Sequence, residues 1–340
     1  MNRARAGAAI AVGSEIEAAF RAHERALWGM LYRLTGSAAD SDELVQETFL
    51  RAIERPPADT TLPLKPWLVR VAMNLGLDSL RRRKRRAYTG PWLPSPIESA
   101  DGAIDASPAG NASPAGNDDL ASFEPVSAGG VSTEGRYDLL ESVSMAFLVA
   151  LEALRPRQRA VLLLRDVFDY SVAETSEALG ISAANVKTTH HRARHAMAVY
   201  DRERQPITRE RREATREVLE RFVLGMATRD VAGIETLLAR DVREMSDGAG
   251  EFLSALRPLH GANDVARFFV GLARRVPSEH YAVELRELNG LPALLVGVGA
   301  RAPRLAPRFV LAVDLNSDGR IREAWAVQAT RKLTHVIFPF

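Results

Sequence analysis

The hexapeptide Ala-Ser-Pro-Ala-Gly-Asn occurs twice in tandem, at 106–111 and 112–117, inside a stretch from about 97 to 135 dominated by Pro, Gly, Ser, Ala and Asp. Such a composition holds too little apolar surface to offset the entropy of ordering the chain, so it predicts a flexible linker. This feature imposes a multidomain organisation on the 340 residues, because whatever folds must fold on either side of it. The segmentation reads as a helical domain over 14–87, a linker over 88–136, a second helical domain over 137–203 and a mixed domain over 208–340.

In the first domain, Ser37 and Asp40 form an S-x-x-D capping box. The helix behind it carries Leu44, Val45, Thr48, Phe49 and Ala52 at the spacing of one buried face. Pro56 and Pro57 end that pattern, and a loop from Ala58 to Pro66 follows. Trp67, Leu68, Val71, Leu75 and Leu80 then mark an amphipathic helix that runs into an unbroken basic run, Arg81 to Arg86.

The 137–203 segment reads as a helix-turn-helix. Ser171 and Glu174 make another capping box, Leu179 ends a helix, and Gly180 suits the left-handed position after it. Ser182 caps the next helix, which extends towards Met197. Val186, Ala193 and Met197 face inward, leaving Asn185, Lys187, Thr188, His191 and Arg192 outside. Polar side chains near the start of a second helix are what reading of a major groove requires. One preceding helix with Leu151, Leu154, Val161, Leu162 and Leu164 supplies the packing partner.

The last domain opens with helices around Val218 and Phe222, around Ile234 and Leu237, and around Val265 and Phe269. Strand-like runs follow at 280–287, 292–298, 308–315 and 320–328, with Asn289-Gly290 and Asp318-Gly319 as hairpin signals. Helices followed by an antiparallel meander predict an α+β domain whose curved sheet wraps a pocket.

The chain has no cysteine, which excludes disulfides, cysteine–zinc sites and thiol nucleophiles. The net charge is only +2, so affinity for nucleic acid would rest on local clusters: the 81–86 run, and Lys187, Arg192 and Arg194. No run is long enough to cross a bilayer, and the N-terminal small-residue run meets Glu15 too soon for a signal peptide, so a soluble, cytoplasmic protein without membrane contact is expected.

At this point the sequence resembles a known family. Phe20-Arg-Ala-His-Glu-Arg, Tyr32-Arg-Leu-Thr-Gly-Ser-Ala-Ala-Asp40, Glu43-Leu-Val-Gln-Glu-Thr-Phe49 and Pro66-Trp67-Leu-Val-Arg-Val-Ala-Met-Asn74 through Arg82 resemble region 2 of extracytoplasmic-function (ECF) sigma factors. Leu154-Arg-Pro-Arg-Gln158 through Arg194 resembles region 4. The stretch Trp92-Leu-Pro-Ser-Pro96 resembles a Trp-Leu-Pro-x-Pro motif of one ECF subgroup, whose members carry a fused SnoaL-like domain with an Asp-Gly-Gly-Gly-Lys motif. The matching place here reads Asp247-Gly-Ala249-Gly-Glu251, with alanine for glycine and a reversed charge for lysine.

The resemblance implies two all-α sigma domains followed by an α+β SnoaL-like, ketosteroid-isomerase-like cone. It also implies a promoter-specificity subunit of core RNA polymerase, contacting the β′ clamp and β flap, and not an enzyme. Asp40, Asp42, Glu43, Gln46 and Glu47 would dock on the clamp, although acids at a helix start are also favoured by the helix dipole alone. Trp67, Arg70, Asn74, Asp78, Arg81 and Arg82 would bind the −10 element; Trp67 serves equally well as core. Ser182, Asn185, Lys187, Thr188, His191, Arg192 and Arg194 would bind the −35 duplex.

Trp92, Leu93, Pro94, Asp247, Gly248 and Gly250 would mediate regulation in cis, with no separate anti-sigma factor, so deletion of 208–340 should alter transcription. No metal, cofactor or catalytic residue is expected, and a small ligand in the C-terminal pocket is left open. Asp247, His260, Tyr281, Asp314 and Trp325 are candidate pocket residues; Asp314 reads more simply as a strand end at a turn. The rival readings are a DNA-binding regulator that works without core polymerase, and an enzyme fused to DNA-binding domains.

Overall fold

The computed structural model describes residues 2–57, 59, 62–85, 88–99, 136–275, 280–299 and 304–339, with the backbone alone for 2–16. The tandem repeat and the rest of the expected flexible segment from 100 to 135 lie outside the described residues. The chain divides into two compact units.

The first unit is all α. It holds α1 (Asn2–Thr35), α2 (Ala38–Glu54), α3 (Leu64–Arg85), α5 (Pro156–Asp166), α6 (Val172–Leu179) and α7 (Ala183–Ala196). The helical pattern expected from about residue 14 in fact begins at Asn2. Helix α3 begins two residues before Pro66, inside the expected loop, because a proline in the first turn sacrifices no intrahelical hydrogen bond. Leu27, Leu31, Leu34, Val45, Phe49, Leu68, Ala72 and Leu75 form the buried seam of α1–α3.

The cap of α2 departs from the expected reciprocal box. Ser37 Oγ accepts from the Asp40 amide at 3.2 Å, but the Ser37 amide donates to Thr35 Oγ1 at 3.2 Å. At α6 both halves of the box form: Ser171 N to Glu174 Oε2 at 2.7 Å, and Glu174 N to Ser171 Oγ at 3.1 Å. Gly180 takes the left-handed conformation at φ 61°. The single helix expected before them is two, α4 (Met145–Leu151) and α5, because Pro156 starts a new helix at its own first turn.

Three arginines close this unit. Arg33 is buried and donates to Ser142 Oγ (2.7 Å), Gly29 O and Leu139 O (both 3.0 Å). Arg159, also buried, donates to Leu34 O (3.0 Å) and Leu151 O (2.8 Å) and pairs with Glu152 at 2.8 Å. Arg83 bonds Thr35 O at 2.8 Å and both Glu152 oxygens at 2.9 and 2.7 Å. Burial works to raise the Glu152 carboxyl, but Arg159 and Arg83 outweigh it and hold it below the ordinary range.

The second unit contains 88–99, 143–149, and everything described from Tyr200 onward. Its elements are α8 (Ala198–Glu203, from Tyr200), α9 (Arg209–Thr228), α10 (Val231–Leu237), β1 (Leu238–Asp247), β2 (Leu259–His260), α11 (Ala262–Ala273), β3 (Tyr281–Leu288), β4 (Leu291–Val298), β5 (Arg308–Leu315) and β6 (Ile321–Val327). The sheet order is β2-β1-β6-β5-β4-β3. The antiparallel meander β3 to β6 matches the expectation. Beyond it lie two unexpected strands, β2 and β1, of which β1 pairs with β6 in parallel.

Asn289 and Gly290, at φ 54° and 82°, make the tight β3–β4 turn, whose positive angles match a primed hairpin turn. Helices α9, α10 and α11 cover one sheet face, through Leu219, Phe222, Ile234 and Phe269 packed on Val242, Leu294, Leu311 and Ala324. The opposite face, with Met245, Leu295, Val310 and Trp325, is covered by Leu93, Met145, Leu333 and Val336. Coverage on both faces explains why β4 and β5 read as near-continuous apolar runs rather than alternating ones.

Candidate functional sites

In the first unit, three helices present polar faces. On α2, Glu43 and Gln46 are exposed and Glu47 accepts from Arg51 Nε at 2.9 Å. Asp40 is half-buried, and Asp42 accepts from Trp28 Nε1 at 2.7 Å, so part of its acceptor capacity is used inside the fold. The same helix face continues through Leu50 and Ile53, which are 48% and 60% exposed. Sequence reasoning missed this pair. An apolar residue breaking an otherwise polar stripe at the i, i+3, i+4 spacing is the signal that would have found it.

On α3, Arg70, Asn74, Asp78, Arg81 and Arg82 are exposed along one side, and Trp67 is half-buried at its start. Asn74 Nδ2 donates to Arg70 O at 2.8 Å, and Asp78 pairs with Arg81 at 2.6 Å. A solvent-exposed pair of this kind is worth little and yields readily to a phosphate. The basic run is not one surface: Arg83 turns inward to Glu152, and Arg86 lies outside the described residues.

On α7, Ser182 Oγ accepts from the Asn185 amide at 3.3 Å, fixing the helix start. Asn185, Lys187, Thr188, His191, Arg192 and Arg194 are all exposed, while Val186 and Ala193 are buried beneath them. Thr188 Oγ1 is bonded to Ala184 O at 3.1 Å, and Arg194 Nε stands 3.9 Å from Asp166. His190 packs inward, its Nε2 2.7 Å from Asp166 Oδ1.

In the second unit, Leu93 meets Asp247 directly and Trp92 meets it through Lys332, while Pro94 is buried beside them in the chain. Residues 88–99 are a strap that lies on this domain, and the segment expected to be flexible from residue 97 instead continues the strap to residue 99. Leu93, Pro94 and Ile97 are buried, which removes roughly 1.5–3 kcal/mol worth of apolar surface per large side chain from water. Ile97 N and O bond Asn289 Oδ1 (3.1 Å) and N (3.0 Å), and Asn289 Nδ2 reaches Val143 O at 2.8 Å.

Asp247 is fully buried at 0% exposure. Its Oδ1 accepts from the Tyr88 hydroxyl at 2.6 Å and the Ala249 amide at 3.1 Å. Its Oδ2 accepts from the Leu93 amide at 2.7 Å and from the Lys332 ammonium. Lys332 Nζ also donates to Leu93 O and stands 3.9 Å from the Trp92 ring centroid. The buried cation that pairs with Asp247 thus comes from beyond the last strand. Glu251 accepts at 3.4 Å from the Thr330 amide, at the start of the 3-10 turn that carries Lys332. Gly248 and Gly250 sit where a side chain would meet Phe252 O or Thr89.

A cavity of about 260 Å3 opens on the helix-covered face of the sheet. Of the expected pocket residues only Tyr281 lines it, its hydroxyl 3.3 Å from Leu272 O. Asp247 is taken by the strap, Trp325 belongs to the other sheet face, and His260 is exposed on β2. Asp314 is a structural anchor at the end of β5, paired with Arg211 and, at 2.7 Å, with Arg322.

A carboxyl near the cavity is one that sequence reasoning missed. Glu244 on β1 is fully buried, accepts from Ser246 Oγ, and its carboxyl is pushed up by burial to about 7. A carboxyl raised above its unfolded value stabilises the fold in acid, and that contribution is lost as pH rises from about 4.5 through about 7. Wild type should therefore lose roughly 3 kcal/mol relative to Glu244→Gln across that window. Urea unfolding of both forms at pH 5 and pH 8 measures the difference; parallel pH dependences would refute it.

Two family models match the helical parts of the chain. Sigma-70 region 2 matches residues 19–86, and Sigma-70, region 4, matches 144–197. The chain is 33% identical over 325 residues to the ECF RNA polymerase sigma factor SigJ of Mycobacterium tuberculosis, covering 93% of this chain and 92% of that one. It is 32% identical over 243 residues to SigG of the same species, covering 68% and 62%. The crystal structure of Mycobacterium tuberculosis SigJ superposes with a TM-score of 0.68 at 28% identity, over 94% of this chain and 98% of that one. The chain thus belongs to the ECF RNA polymerase sigma factors, promoter-recognition subunits rather than enzymes, with helical regions 2 and 4 and an α+β domain at the C-terminal end.

Proposed function

We propose that the exposed α2 face docks on the β′ clamp of core RNA polymerase, α3 holds the −10 element, α7 reads the −35 duplex while its domain meets the β flap, and the C-terminal domain regulates these steps in cis without a separate anti-sigma factor. The observation that carries the reading is the outward set of Asn185, Lys187, Thr188, His191 and Arg192 on a capped second helix, in one chain with the exposed Arg70–Arg82 side of α3. Side chains of this kind serve base edges and phosphates. The mixed acidic and apolar stripe on α2 suits a protein partner: carboxylates steer the encounter, and Leu50 and Ile53 add area. No helix among the described residues is long and apolar enough to cross a membrane, in keeping with work beside polymerase in the cytoplasm.

Regions 2 and 4 share one compact unit. Elements centred at −35 and −10 stand on the order of 80 Å apart along a duplex rising 3.4 Å per base pair. A unit of this size spans only about 40 Å. Reading both elements at once therefore requires the helical regions to part, with polymerase binding as the driving interaction.

In-vitro transcription by the full chain with core polymerase over a promoter library tests the proposal. Initiation from a consistent −35/−10 pair supports it; tight duplex binding with no initiation would favour a regulator that works alone. Arg81→Ala with Arg82→Ala is expected to weaken promoter binding about equally across sequences and to flatten the salt dependence by about two ion equivalents. Asn185→Ala should instead relax sequence preference at a single position. Filter binding across a salt series separates the two behaviours.

A further inference from the structure

The cavity of the C-terminal domain has a marked chemical polarity. Phe222, Met226, Phe268, Leu294, Val296 and Phe309 form apolar walls, and Ser246 and Gln328 form a polar end. At that end oxygens outnumber hydrogens. The Ser246 hydroxyl hydrogen is spent on Glu244 Oε1, leaving the serine oxygen as an acceptor. Glu244 is the next residue on the same face of β1, and above about pH 7, where its carboxyl is ionised, its Oε2 is a buried acceptor with no donor among the described residues. The amide oxygen of Gln328 is likewise buried without a donor. Buried acceptors left unmatched are unfavourable, and a ligand that brings a hydrogen relieves them.

We propose that this cavity binds a small, neutral, mostly apolar alcohol or phenol, whose hydrocarbon body lies among the aromatic walls and whose hydroxyl donates to the Ser246–Gln328 end. The volume, about 260 Å3, suits a molecule of one or two rings or a short branched chain. An anionic ligand would set its charge against Ser246, Gln328 and Glu244. The one cation in the lining among the described residues, Arg229, is solvent-exposed and hydrated, and so offers a weak counterweight. The inference goes beyond promoter recognition and does not rest on it, because binding is read directly.

The test uses the full chain and 2-naphthol as a fluorescent probe, with naphthalene and 2-naphthoate as comparators. One molecule of 2-naphthol should bind per chain, with a dissociation constant on the order of 10–100 µM. Naphthalene should bind about tenfold more weakly, for want of the hydrogen bond. Ser246→Ala should abolish the preference for naphthol over naphthalene while leaving naphthalene affinity unchanged. Ala273→Trp, which fills the cavity from its half-buried rim, should abolish binding of both, with an unchanged circular dichroism spectrum showing that the domain still folds. Non-saturable binding, equal affinity in the Ala273→Trp chain, or a preference for 2-naphthoate would each overturn the assignment.

Discussion

Asp247→Ala is expected to release the strap at 88–99 and destabilise the C-terminal domain by about 3–5 kcal/mol, the usual cost of stranding one partner of a buried ion pair. The carboxylate serves four donors: the Tyr88 hydroxyl, the Ala249 and Leu93 amides and the Lys332 ammonium. Alanine leaves the lysine buried with the Leu93 carbonyl and the Trp92 ring as company. Lys332→Met should cost less, because Asp247 then keeps three donors. The double variant should fall short of the sum of the two losses, since the pair is coupled. Urea titration measures the losses, and chymotrypsin reports the strap, with cleavage expected after Tyr88 and Trp92 in Asp247→Ala and slow cleavage there in wild type. Equal cleavage in both would refute the anchoring role.

Glu152→Ala should cost the helical unit a comparable amount, about 3–5 kcal/mol. Glu152 is the shared anion for Arg83 and Arg159, and Arg159 is only 3% exposed. The acid limb should change with it. A carboxyl held below its unfolded value gives stability that is present above about 4.5 and is lost as pH falls through the folded value, so the variant should lose less on acidification than wild type. The functional consequence runs the other way. If regions 2 and 4 part on the promoter, the Arg83–Glu152 pair that joins them stabilises the free chain alone, whereas Arg159–Glu152 lies within region 4, and initiation per folded molecule at a permissive temperature should rise in Glu152→Ala. Thermal melts between pH 4 and 7 and single-round transcription test the two arms; a drop in initiation matching the drop in stability would show that the contacts persist in the open complex.

The legible parts of this chain were those governed by local rules. Ser171 with Glu174, Gly180 at its left-handed angle and Ser182 at its helix start fall where a reading of caps puts them, because each bond spans three residues or fewer. Asn289-Gly290 marked its hairpin for the same reason. Strand β1 was not legible: Arg240, Asp241, Arg243 and Glu244 make it look like surface, and its pairing with β6 joins residues about 80 apart. Glu244 in particular sits in register with Val242 and Ser246 on the buried helix-covered face, a carboxyl where an apolar residue is expected. Lys332 carries no local pattern; only the folded chain brings it to Asp247. Within the 81–86 run, helical geometry decides which cations meet solvent, and the partner that draws Arg83 inward lies 69 residues away. The Pro- and Ser-rich 91–99 strap reads as loop because its order comes wholly from what it covers.

The second unit is assembled from pieces that are not neighbours in the chain: the strap, the short stretch 143–149 and the residues from Tyr200 onward. A gene fusion that joined such a domain to a sigma factor cannot have left it a detachable cassette. Cutting the chain near residue 207 would strand Leu93, Ile97 and Met145 without the sheet that buries them. Exchanging this domain between two related chains would require three separate replacements, two of them inside what the gene order presents as the sigma factor. Inheritance of the domain therefore constrains sequence drift in the strap and in 143–149, both far along the chain from the sheet they cover.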